Sequence, residues 1–295
     1  MITYGHGQFI EQAVNSVLMQ DCNFEIELIL ANDCSPDKTD EVINDVLKSH
    51  PRASIINYIR HEKNIGMMPN FIFALQQCKG KYIALCEGDD YWTDPLKLQK
   101  QVDFLEKNET YSICWTKYLV KRESQNLIPL EEPNWIPEVE KNKDISFDLN
   151  TIFTPYCTYT LTTLFRREIL DFKLLKILKN SKDNTIYAMC LSRGKGMLMN
   201  FYSAVYRIHE GGIYSNASVF NQNYHSYLNL KEIASKIPYC NNYNIRNMRN
   251  YLLRESIKFH PNHLVVNFNL FLDTVLFLGI KESWRLTRKY KKHDR

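Results

Sequence analysis

The stretch KYIALCEGDDYWTD at residues 81–94 joins an apolar, β-rich run directly to a cluster of acids. The run at 82–86 is too short for a helix and contains no charged residue, so it predicts a fully buried strand of a mostly parallel sheet. Glu87, Asp89 and Asp90 follow at once. Three carboxylates at a buried strand end repel one another, and their charge requires a positive partner.

A divalent metal ion with a phosphorylated ligand is the simplest such partner, because carboxylate and phosphate oxygens are the ligands that Mg²⁺ prefers. The position fits, since open α/β sheets bind ligands beyond the carboxyl ends of their strands. The alternative is a polar turn that closes the strand, with Asp94 and Pro95 beginning the next helix. Taken alone, the cluster leaves both interpretations open.

The composition is that of a soluble globular protein. The chain has 295 residues, of which 44% are hydrophobic and 24% charged, enough for one large domain or two ordinary ones. The net charge of +4 is too small to indicate a nucleic-acid partner. Eight cysteines lie without CxxC spacing, several inside apolar runs, as reduced buried thiols do. We therefore expect a cytoplasmic location, and the sequence shows no signal peptide or bilayer-length apolar run.

The chain opens on MITYGH, which is typical of the last residues of a strand. A helix is predicted immediately afterwards, at 8–19, from apolar residues at helical spacing. A buried first strand normally has several more apolar residues before Ile2. We therefore expect that this sequence begins inside its first strand.

Strand and helix alternate four times along the first third of the chain. This order predicts right-handed βαβ units and an α/β fold with a mostly parallel sheet flanked by helices. Ser35 is a candidate N-cap, with Pro36 at the first helical position. The predicted strands lie at 25–31, 54–60, 82–86 and 111–120, and the predicted helices at 36–48, 69–78 and 95–107.

The remainder of the chain divides at residue 225. Residues 1–225 form the predicted main domain, with a nucleotide-binding half at 1–115 and an acceptor-side half at 116–225. Residues 226–295 form a helical C-terminal extension with a basic tail. Within the second half we predict a long surface loop at 123–150, strands at 158–165 and 197–202, a helix at 186–191 and a polar loop at 206–212.

Polar residues follow three of the predicted strands, at Thr3-Tyr4, at Asp33 and at the acidic cluster. Because the carboxyl ends of parallel strands share one edge, these side chains should converge on one crevice. No GxGxxG and no Walker-type lysine loop is present, which disfavours dinucleotide redox and P-loop chemistry.

Several motifs, taken in this order and spacing, resemble glycosyltransferase family 2. They are Thr3-Tyr4, NDCSPD at 32–37, NIG at 64–66, GKYIA at 80–84, EGDDYW at 87–92 and YRIH at 206–209. The resemblance covers roughly the first two-thirds of the chain. It implies an inverting enzyme with the GT-A fold, a nucleotide-binding α/β sandwich.

The resemblance also implies a donor site. Asp33 would accept a hydrogen bond from a uracil imide, and Thr3 and Tyr4 would line the base and ribose. Asn64, Gly66 and Asp89 complete the expected donor-binding set.

A metal site is implied next to it. Asp90 would be the main ligand of Mg²⁺ or Mn²⁺, with Asp89 beside it near the ribose or a metal-bound water. His209 is a further candidate for the metal or the diphosphate, and its alternative role is an ordinary loop histidine. Glu87 stands where the family usually has its first aspartate, and its role is open.

An inverting transfer needs one general base to take the proton of the acceptor hydroxyl. The family places an acidic residue at a helix start in the second half, and Asp183 matches that position. Its alternative role is a helix cap, which is common for aspartate there.

The C-terminal end has two interpretations. Phe268, Leu272, Leu276 and Trp284 could form the apolar face of a basic amphipathic membrane contact. The alternative is a helix packed on the main domain with a solvated basic end. Nucleic-acid binding is disfavoured because no aromatic residues interleave the basic ones.

Two functional hypotheses follow. The first is a metal-dependent inverting glycosyltransferase that moves a sugar from a nucleotide donor, expected to be a UDP-sugar, to a saccharide or lipid-linked acceptor in surface polysaccharide assembly. The second is a catalytically silent nucleotide-binding module, since a shortened first strand would disturb the base site around Tyr4. The sequence does not identify the sugar, the acceptor, the linkage or the oligomeric state.

Overall fold

The computed structural model describes residues 1–122, 126–129, 142–151, 158–212, 217–259 and 268–290. The chain forms two compact units, Met1–Gly211 and Gly212–Arg295. The predicted boundary at residue 225 falls inside the helix Val219–Lys236 of the second unit.

The first unit begins as the predicted alternation of strands and helices and continues as a strand-rich half. Its strands are β1 (Ile2–Thr3), β2 (Leu28–Asn32), β3 (Ile56–Arg60), β4 (Tyr82–Ala84), β5 (Tyr91–Trp92), β6 (Tyr111–Arg122), β7 (Ile128–Pro129), β8 (Ile145–Phe147), β9 (Leu164–Arg166) and β10 (Lys195–Ile208). Its helices are α1 (Ile10–Leu18), α2 (Thr39–Ser49), α3 (Met67–Gln77), α4 (Lys97–Lys107), α5 (Phe172–Ile177) and α6 (Asp183–Leu191).

Strands β1, β2 and β3 form a parallel sheet in that order. Every residue of β2 is buried, and successive side chains point to opposite faces. Leu30 packs in one apolar cluster with Ile43 of α2, whereas Ala31 packs in another with Ala74 of α3. Helices therefore cover both faces, which explains why β2 is apolar at consecutive positions.

The second sheet has the order β4-β9-β6-β10-β5, with β7 paired to β6 and β8 to β10. Strands β6 and β10 run parallel along most of their length, and the other pairs are antiparallel. The parallel arrangement predicted from the strand–helix alternation thus holds for the first sheet, and the second is mixed.

The stretch that opens the acidic cluster connects the two sheets. Strand β4 pairs antiparallel with β9, and beyond it the Leu85 N–H donates to the Thr163 carbonyl at 3.0 Å. The Gly88 N–H then donates to the Ile2 carbonyl at 3.0 Å, and Ile2 forms a parallel bridge with Glu87. The chain thus leaves one sheet and joins the edge of the other, which places the acidic turn beside the end of β1.

The strand predicted at 158–165 is wrong in its first part. Residues 160–162 form a 3₁₀ turn, and β9 begins only at Leu164. The hydroxyls of Thr162 and Thr163 both donate to the Tyr159 carbonyl, at 2.9 and 3.0 Å. Threonine favours strands by its branched shape, but here its hydroxyl bonds locally to the backbone and stabilises a turn.

The predicted N-cap of α2 is also wrong. Ser35 donates its hydroxyl to Asn32 Oδ1 at 2.7 Å, and the helix begins four residues later, at Thr39. Asp37 Oδ1 accepts from the Thr39 N–H at 3.1 Å, so an aspartate binds the free amide at this helix start.

Two predicted loops contain strand. Within 123–150 the described residues include β7 and β8, and residues 123–125 and 130–141 lie outside the described part of the chain. The predicted polar loop at 206–212 begins later than expected, because β10 continues through Ile208. Its long register with β6 reaches Arg122 and supplies hydrogen bonds that the local sequence does not indicate.

The described cysteines are free thiols, as predicted. Cys86, Cys114 and Cys190 are buried, and burial raises the pKa of each thiol, to about 12 for Cys114. These side chains therefore stay protonated and pack as small apolar groups.

The second unit is helical, as predicted, but its first helix begins before residue 226. Its helices are α7 (Val219–Lys236), α8 (Tyr243–Phe259), α9 (Phe268–Leu278) and α10 (Ile280–Tyr290). Ser218 starts α7 by accepting the Asn221 N–H on its hydroxyl at 3.3 Å. The core includes Tyr227, Leu253 and Leu286.

Asp273, which interrupts the apolar run of α9, has two partners within this unit. It accepts the Tyr227 hydroxyl at 2.6 Å and the Lys231 ammonium at 2.6 and 2.7 Å. The hydrogen bonds from Tyr227 and Lys231 offset the free-energy cost of burying the Asp273 carboxylate. None of the described helices combines the length and the apolar character needed to cross a membrane.

Candidate active site

The loops that follow β1 and β2 are tied together by hydrogen bonds. The N–H groups of Gly5, His6 and Gly7 donate in turn to Ser35 Oγ at 3.0 Å, Thr39 Oγ1 at 2.9 Å and Asp37 Oδ2 at 2.8 Å. Burial would raise the pKa of Asp37, but hydrogen bonds from Thr39 and Gly7 hold it below its usual range. This carboxylate therefore stays charged, and the pairing orients the His6 side chain.

Asp33 follows the last residue of β2, at the predicted strand end, and its side chain is buried. Its Oδ1 accepts the Ile65 N–H at 2.7 Å, and its Oδ2 accepts the Gly66 N–H at 2.9 Å. Gly66 has φ +92°, a backbone conformation that favours glycine, and its N–H also reaches Asn64 Oδ1 at 3.0 Å. The structure thus brings Asp33, Asn64 and Gly66 together, and each carboxylate oxygen keeps acceptor capacity beyond its amide.

Thr3 and Tyr4 lie at the end of β1, next to the acidic turn. Thr3 is buried, and its hydroxyl lies 3.2 Å from His6 Nδ1. Tyr4 is exposed. Both residues therefore lie at the end of β1, where the sequence predicts the nucleoside site.

Gly88 allows the acidic turn to approach this edge. A Cβ at residue 88 would lie 2.6 Å from Thr3 Oγ1 and 2.8 Å from Thr3 Cβ, which is closer than side-chain atoms approach, and 3.0 Å from His6 Nδ1. The absence of a side chain at Gly88 is therefore what brings the neighbouring Asp89 within reach of His6.

Asp89 is the carboxylate that faces two histidines. Its Oδ2 lies 3.2 Å from His209 Nε2 and 3.7 Å from His6 Nε2. The Gly211 N–H donates to His209 Nδ1 at 3.2 Å, so the ring proton of His209 is on Nε2 and points at Asp89. Burial would raise the pKa of Asp89, but the His209 hydrogen bond and the nearby imidazoles lower it. Asp89 is thus an ionised, partly exposed carboxylate.

Asp90 is placed differently. It is only 2% exposed, and its Oδ1 accepts the backbone N–H of Arg207 at 2.8 Å. Burial and the charges of Asp89 and Glu87 raise the pKa of Asp90 well above its usual range. The structure therefore ties Asp90 to β10, whereas Asp89 contacts His209, which the sequence predicted as a further candidate for the metal or the diphosphate.

Glu87 has a separate environment in the same turn. Burial, with a further contribution from Asp89, raises the pKa of Glu87 to about 7, and a hydrogen bond with Thr160 opposes the shift. Its Oε2 is buried and has no hydrogen-bond partner among the described residues. Glu87 therefore binds a proton more readily than a free glutamate does, whereas the pKa of Asp89 is shifted the opposite way.

Arg207 is a site residue that the prediction did not single out. Its Nη1 donates to the Asp89 carbonyl at 2.6 Å, and its Nη2 donates to Gln12 of α1. The guanidinium lies over the rings of Tyr91 at 4.3 Å and Phe9 at 5.1 Å. Arg207 therefore holds α1, the acidic turn and β10 in one arrangement.

Arg207 and His6 are both site residues that the prediction did not single out, and the sequence contained a partial signal for each. Arg207 lies inside the YRIH motif, and His6 lies three residues after Thr3. Neither position indicates its partner, because Arg207 and Gln12 are 195 residues apart in the sequence.

Asp183 is the first residue of α6, close to the predicted position. Its Oδ1 accepts the Asn184 N–H at 2.8 Å, and Lys182 occupies the N-cap. Burial raises the pKa of Asp183, while the Asn184 amide and the charge of Lys182 lower it by less. A half-buried carboxylate with a raised pKa suits a group that must accept a proton, although the bond to Asn184 also fits a helix-start role.

The site has few ready-made metal ligands. In the described ranges no three His, Cys, Asp or Glu side chains form a group that could hold a metal ion. Mg²⁺ and Mn²⁺ at nucleotide sites, however, are usually held by one or two carboxylates together with substrate phosphates and water. The ionised, partly exposed Asp89 fits that kind of site.

Comparison with known proteins identifies the family. The profile "Glycosyl transferase family 2" matches residues 1–172. The putative teichuronic acid biosynthesis glycosyltransferase TuaG of Bacillus subtilis is 28% identical over 218 residues, covering 72% of this chain and 79% of TuaG. The UDP-Glc:alpha-D-GlcNAc-diphosphoundecaprenol beta-1,3-glucosyltransferase WfaP of Escherichia coli is 26% identical over 212 residues, covering 70% of this chain and 75% of WfaP.

A stronger local match involves a longer relative. An uncharacterised protein of Mycobacterium tuberculosis is 39% identical over 114 residues, which cover 39% of this chain and 32% of that protein. The match thus spans about a third of that relative's length.

Solved structures confirm the GT-A fold. S. aureus TarS in complex with UDP-GlcNAc has a TM-score of 0.62 at 18% identity, covering 90% of this chain and 74% of the TarS chain. The mannosyltransferase PcManGT of Pyrobaculum calidifontis, with GDP-Man and Mn²⁺, has a TM-score of 0.58 at 13% identity, covering 98% and 82%.

Proposed function

The chain belongs to glycosyl transferase family 2, and from this membership we propose that it transfers a sugar with inversion from a UDP-sugar to the hydroxyl of a saccharide or lipid-linked acceptor in surface polysaccharide assembly. The observation that carries the proposal is the convergence of Asp33, Thr3, Asp89 and His209 from four segments onto one edge of the parallel sheet. The proposed donor is consistent with the UDP-GlcNAc bound to TarS and the UDP-Glc named for WfaP.

We assign proposed roles to three residues of the site. Asp33 holds the 64–66 loop by two amides and would accept the imide N–H of the base on its remaining acceptor capacity. Asp89 would hold Mn²⁺ or Mg²⁺, which supplies positive charge to the leaving diphosphate. His209 donates from Nε2 toward Asp89 and would orient that carboxylate.

The transfer itself would use Asp183 as the base. The acceptor oxygen forms the new bond to the anomeric carbon, the bond from that carbon to the diphosphate oxygen breaks, and its electron pair stays on the diphosphate. The hydroxyl proton goes to Asp183, whose raised pKa favours accepting it. Attack opposite the leaving group inverts the anomeric centre.

A panel of nucleotide-sugars tests this function directly. We expect release of UDP from at least one UDP-sugar in the presence of Mn²⁺, loss of release with a chelator, and recovery when Mn²⁺ is added back. Thermal stabilisation by UDP with Mn²⁺, without turnover of any donor, would instead support the catalytically silent module. A protein that does not bind UDP at all would contradict both.

We also propose that the second unit contacts an anionic lipid surface. Leu276 is 72% exposed and Trp284 61%, and Leu272 and Ile280 are exposed as well. The sequence from Trp284 to its end contains six Lys or Arg residues and one Asp. Exposed apolar side chains beside basic ones are typical of helices that lie in a membrane interface. The side chain of Phe268, predicted for the same face, lies outside the described residues.

Vesicle sedimentation tests this contact. Wild type is expected to bind vesicles containing phosphatidylglycerol more strongly than neutral phosphatidylcholine vesicles. The double change Leu276→Glu with Trp284→Glu should weaken binding at least about tenfold, because each inserted side chain contributes roughly 1.5–3 kcal/mol. Tyr243→Glu, at another exposed aromatic of the same unit, is the control. Equal binding by the double variant and wild type would contradict the proposal.

A further inference from the structure

Two histidines approach the same carboxylate oxygen of Asp89. The Nε2 atoms of His209 and His6 lie 3.2 and 3.7 Å from Asp89 Oδ2. The two rings are nearly perpendicular, and their centroids are 6.3 Å apart. The His209 contact is a hydrogen bond, whereas the His6 contact is too long for one. The two imidazoles are therefore not equivalent partners of this carboxylate.

Both ring nitrogens of His209 are used in hydrogen bonds. Its Nδ1 accepts the Gly211 N–H at 3.2 Å, so the ring proton is on Nε2 and is donated to Asp89. A neutral imidazole has one lone pair for a partner, and in His209 that lone pair is directed at Gly211. His209 therefore orients Asp89 and has no lone pair to offer a cation beside that carboxylate.

The His6 ring can present a lone pair beside Asp89. Its Nδ1 lies 3.2 Å from Thr3 Oγ1, and a hydroxyl can act as donor or as acceptor. When the Nδ1–H donates to Thr3, the lone pair is on Nε2, the nitrogen that faces Asp89. Metal-binding histidines usually donate their other ring N–H to an oxygen in this way, and the bond fixes the ring orientation.

The spacing of His6 and Asp89 suits one bound cation. Two ligands of an octahedral ion with bonds of about 2.1 Å lie about 3.0 Å apart at right angles and about 4.2 Å apart when opposite. The 3.7 Å between His6 Nε2 and Asp89 Oδ2 falls between these values. The two side chains are 17% and 22% exposed, so a cation between them could also bind a diphosphate and water.

We propose that His6 is the second protein ligand of the divalent cation held by Asp89, and that its nitrogen makes the site prefer Mn²⁺ or Co²⁺ to Mg²⁺. The inference rests on the proposed function, which places the cation at Asp89. The preference follows from ligand chemistry. Mg²⁺ takes oxygen ligands, whereas affinity for a nitrogen ligand rises along the first-row transition metals.

Pulsed electron paramagnetic resonance of Mn²⁺ bound together with UDP tests the ligand without any turnover. A nitrogen coordinated to Mn²⁺ gives a hyperfine coupling, and neither diphosphate nor water contains nitrogen. Wild type is expected to show this coupling, and the coupling should change when the histidines are labelled with the heavier nitrogen isotope. A wild-type spectrum without nitrogen coupling would overturn the proposal.

Two substitutions of His6 separate a metal ligand from a structural ring. Asparagine can replace Nδ1 at Thr3 but does not reach the cation, and glutamine can place an amide oxygen near the position of Nε2. Both His6→Asn and His6→Gln should lose the nitrogen coupling, whereas His209→Asn should keep it. The UDP affinity without metal, measured for each variant, checks that it is folded. Loss of the coupling in His209→Asn and its retention in His6→Asn would overturn the proposal and identify His209 as the ligand.

Calorimetric titration of UDP measures the metal preference. In wild type, Mn²⁺ is expected to raise the UDP affinity at least about tenfold more than Mg²⁺ does, because the transition metal gains more from an imidazole ligand. In His6→Gln, where the protein ligands are oxygens, the two ions should raise the affinity to within about threefold of each other. An unchanged preference for Mn²⁺ in this variant would overturn the selectivity assigned to His6.

These measurements separate His6 as a ligand from the proposed function. A nitrogen coupling that depends on His6, in a protein that turns over no donor, would support the metal site and contradict the transferase proposal. Mn²⁺-dependent turnover of a UDP-sugar, without nitrogen coupling in wild type, would support the transferase proposal and overturn His6 as a ligand.

Discussion

Asp183→Asn is expected to lower kcat for sugar transfer about 10³-fold, within the range that general bases contribute, while leaving the UDP affinity unchanged. Asparagine keeps an oxygen that can accept the Asn184 N–H, so the start of α6 is preserved. What the substitution removes is the group that takes the acceptor proton. Steady-state kinetics of wild type and variant over a range of pH measure the effect.

The dependence of kcat on pH distinguishes a catalytic Asp183 from an Asp183 that only stabilises the start of α6. Burial raises the pKa of Asp183, so wild-type kcat should fall on acidification at a pH above the usual aspartate range. The variant should lack this acidic limb. Asp171→Asn is a matched control, because Asp171 Oδ1 accepts the N–H groups of Lys173 and Leu174 at the start of α5. Full activity of Asp183→Asn would show that Asp183 is a structural residue.

The same substitution should raise stability at neutral pH. The pKa of Asp183 is higher in the folded protein than in the unfolded chain. At pH values between these two pKa values, Asp183 is therefore protonated more often in the folded state. The free energy of unfolding contributed by Asp183 therefore falls as pH rises through that window. Above the window the folded state carries the full penalty of a half-buried charge. A neutral amide has no such penalty, so the thermal midpoint of Asp183→Asn at pH 7 should exceed that of wild type.

Asp89→Asn is expected to lower kcat/KM at least about 10³-fold and to abolish the effect of Mn²⁺ on UDP binding, since a bound metal contributes several kcal/mol of charge stabilisation. Asparagine has a similar shape but carries no charge, so the contact with His209 weakens and the cation loses its carboxylate. Calorimetric titration of UDP with and without Mn²⁺ measures the change. The two affinities should be equal in this variant.

Asp90→Asn distinguishes the two carboxylates. An asparagine oxygen at residue 90 can still accept the Arg207 N–H, and Asp90 is only 2% exposed. We therefore expect this variant to retain the Mn²⁺ effect on UDP binding. The opposite pattern, with Asp89→Asn retaining the effect and Asp90→Asn losing it, would identify Asp90 as the main metal ligand, as predicted from the sequence.

Local patterns predicted much of the first unit. The helix predicted at 95–107 is close to α4, because Leu98, Val102 and Leu105 recur at helical spacing, and the strand predicted at 111–120 is close to β6. The errors arose where side chains bond to nearby backbone. The Thr162 and Thr163 hydroxyls stabilise a turn where β-branched residues predicted a strand, and Ser35 bonds to Asn32 where its position predicted a cap.

The sequence alone determined the family, the α/β alternation and the positions of Asp33, Asp89 and Asp183 at element ends, because periodicity and motif spacing are properties of neighbouring residues. Only the tertiary structure decided which carboxylate of the acidic turn meets a histidine. Asp89 and His209 are 120 residues apart, and their contact depends on Gly88 lying against Thr3 and on Arg207 holding the turn. In the stretch at 81–94, Asp89 and Asp90 are adjacent acids of one type. The turn follows β4 of one sheet and bridges to β1 of the other, and these pairings set its backbone direction. That direction points Asp89 toward His209 and Asp90 toward the Arg207 amide.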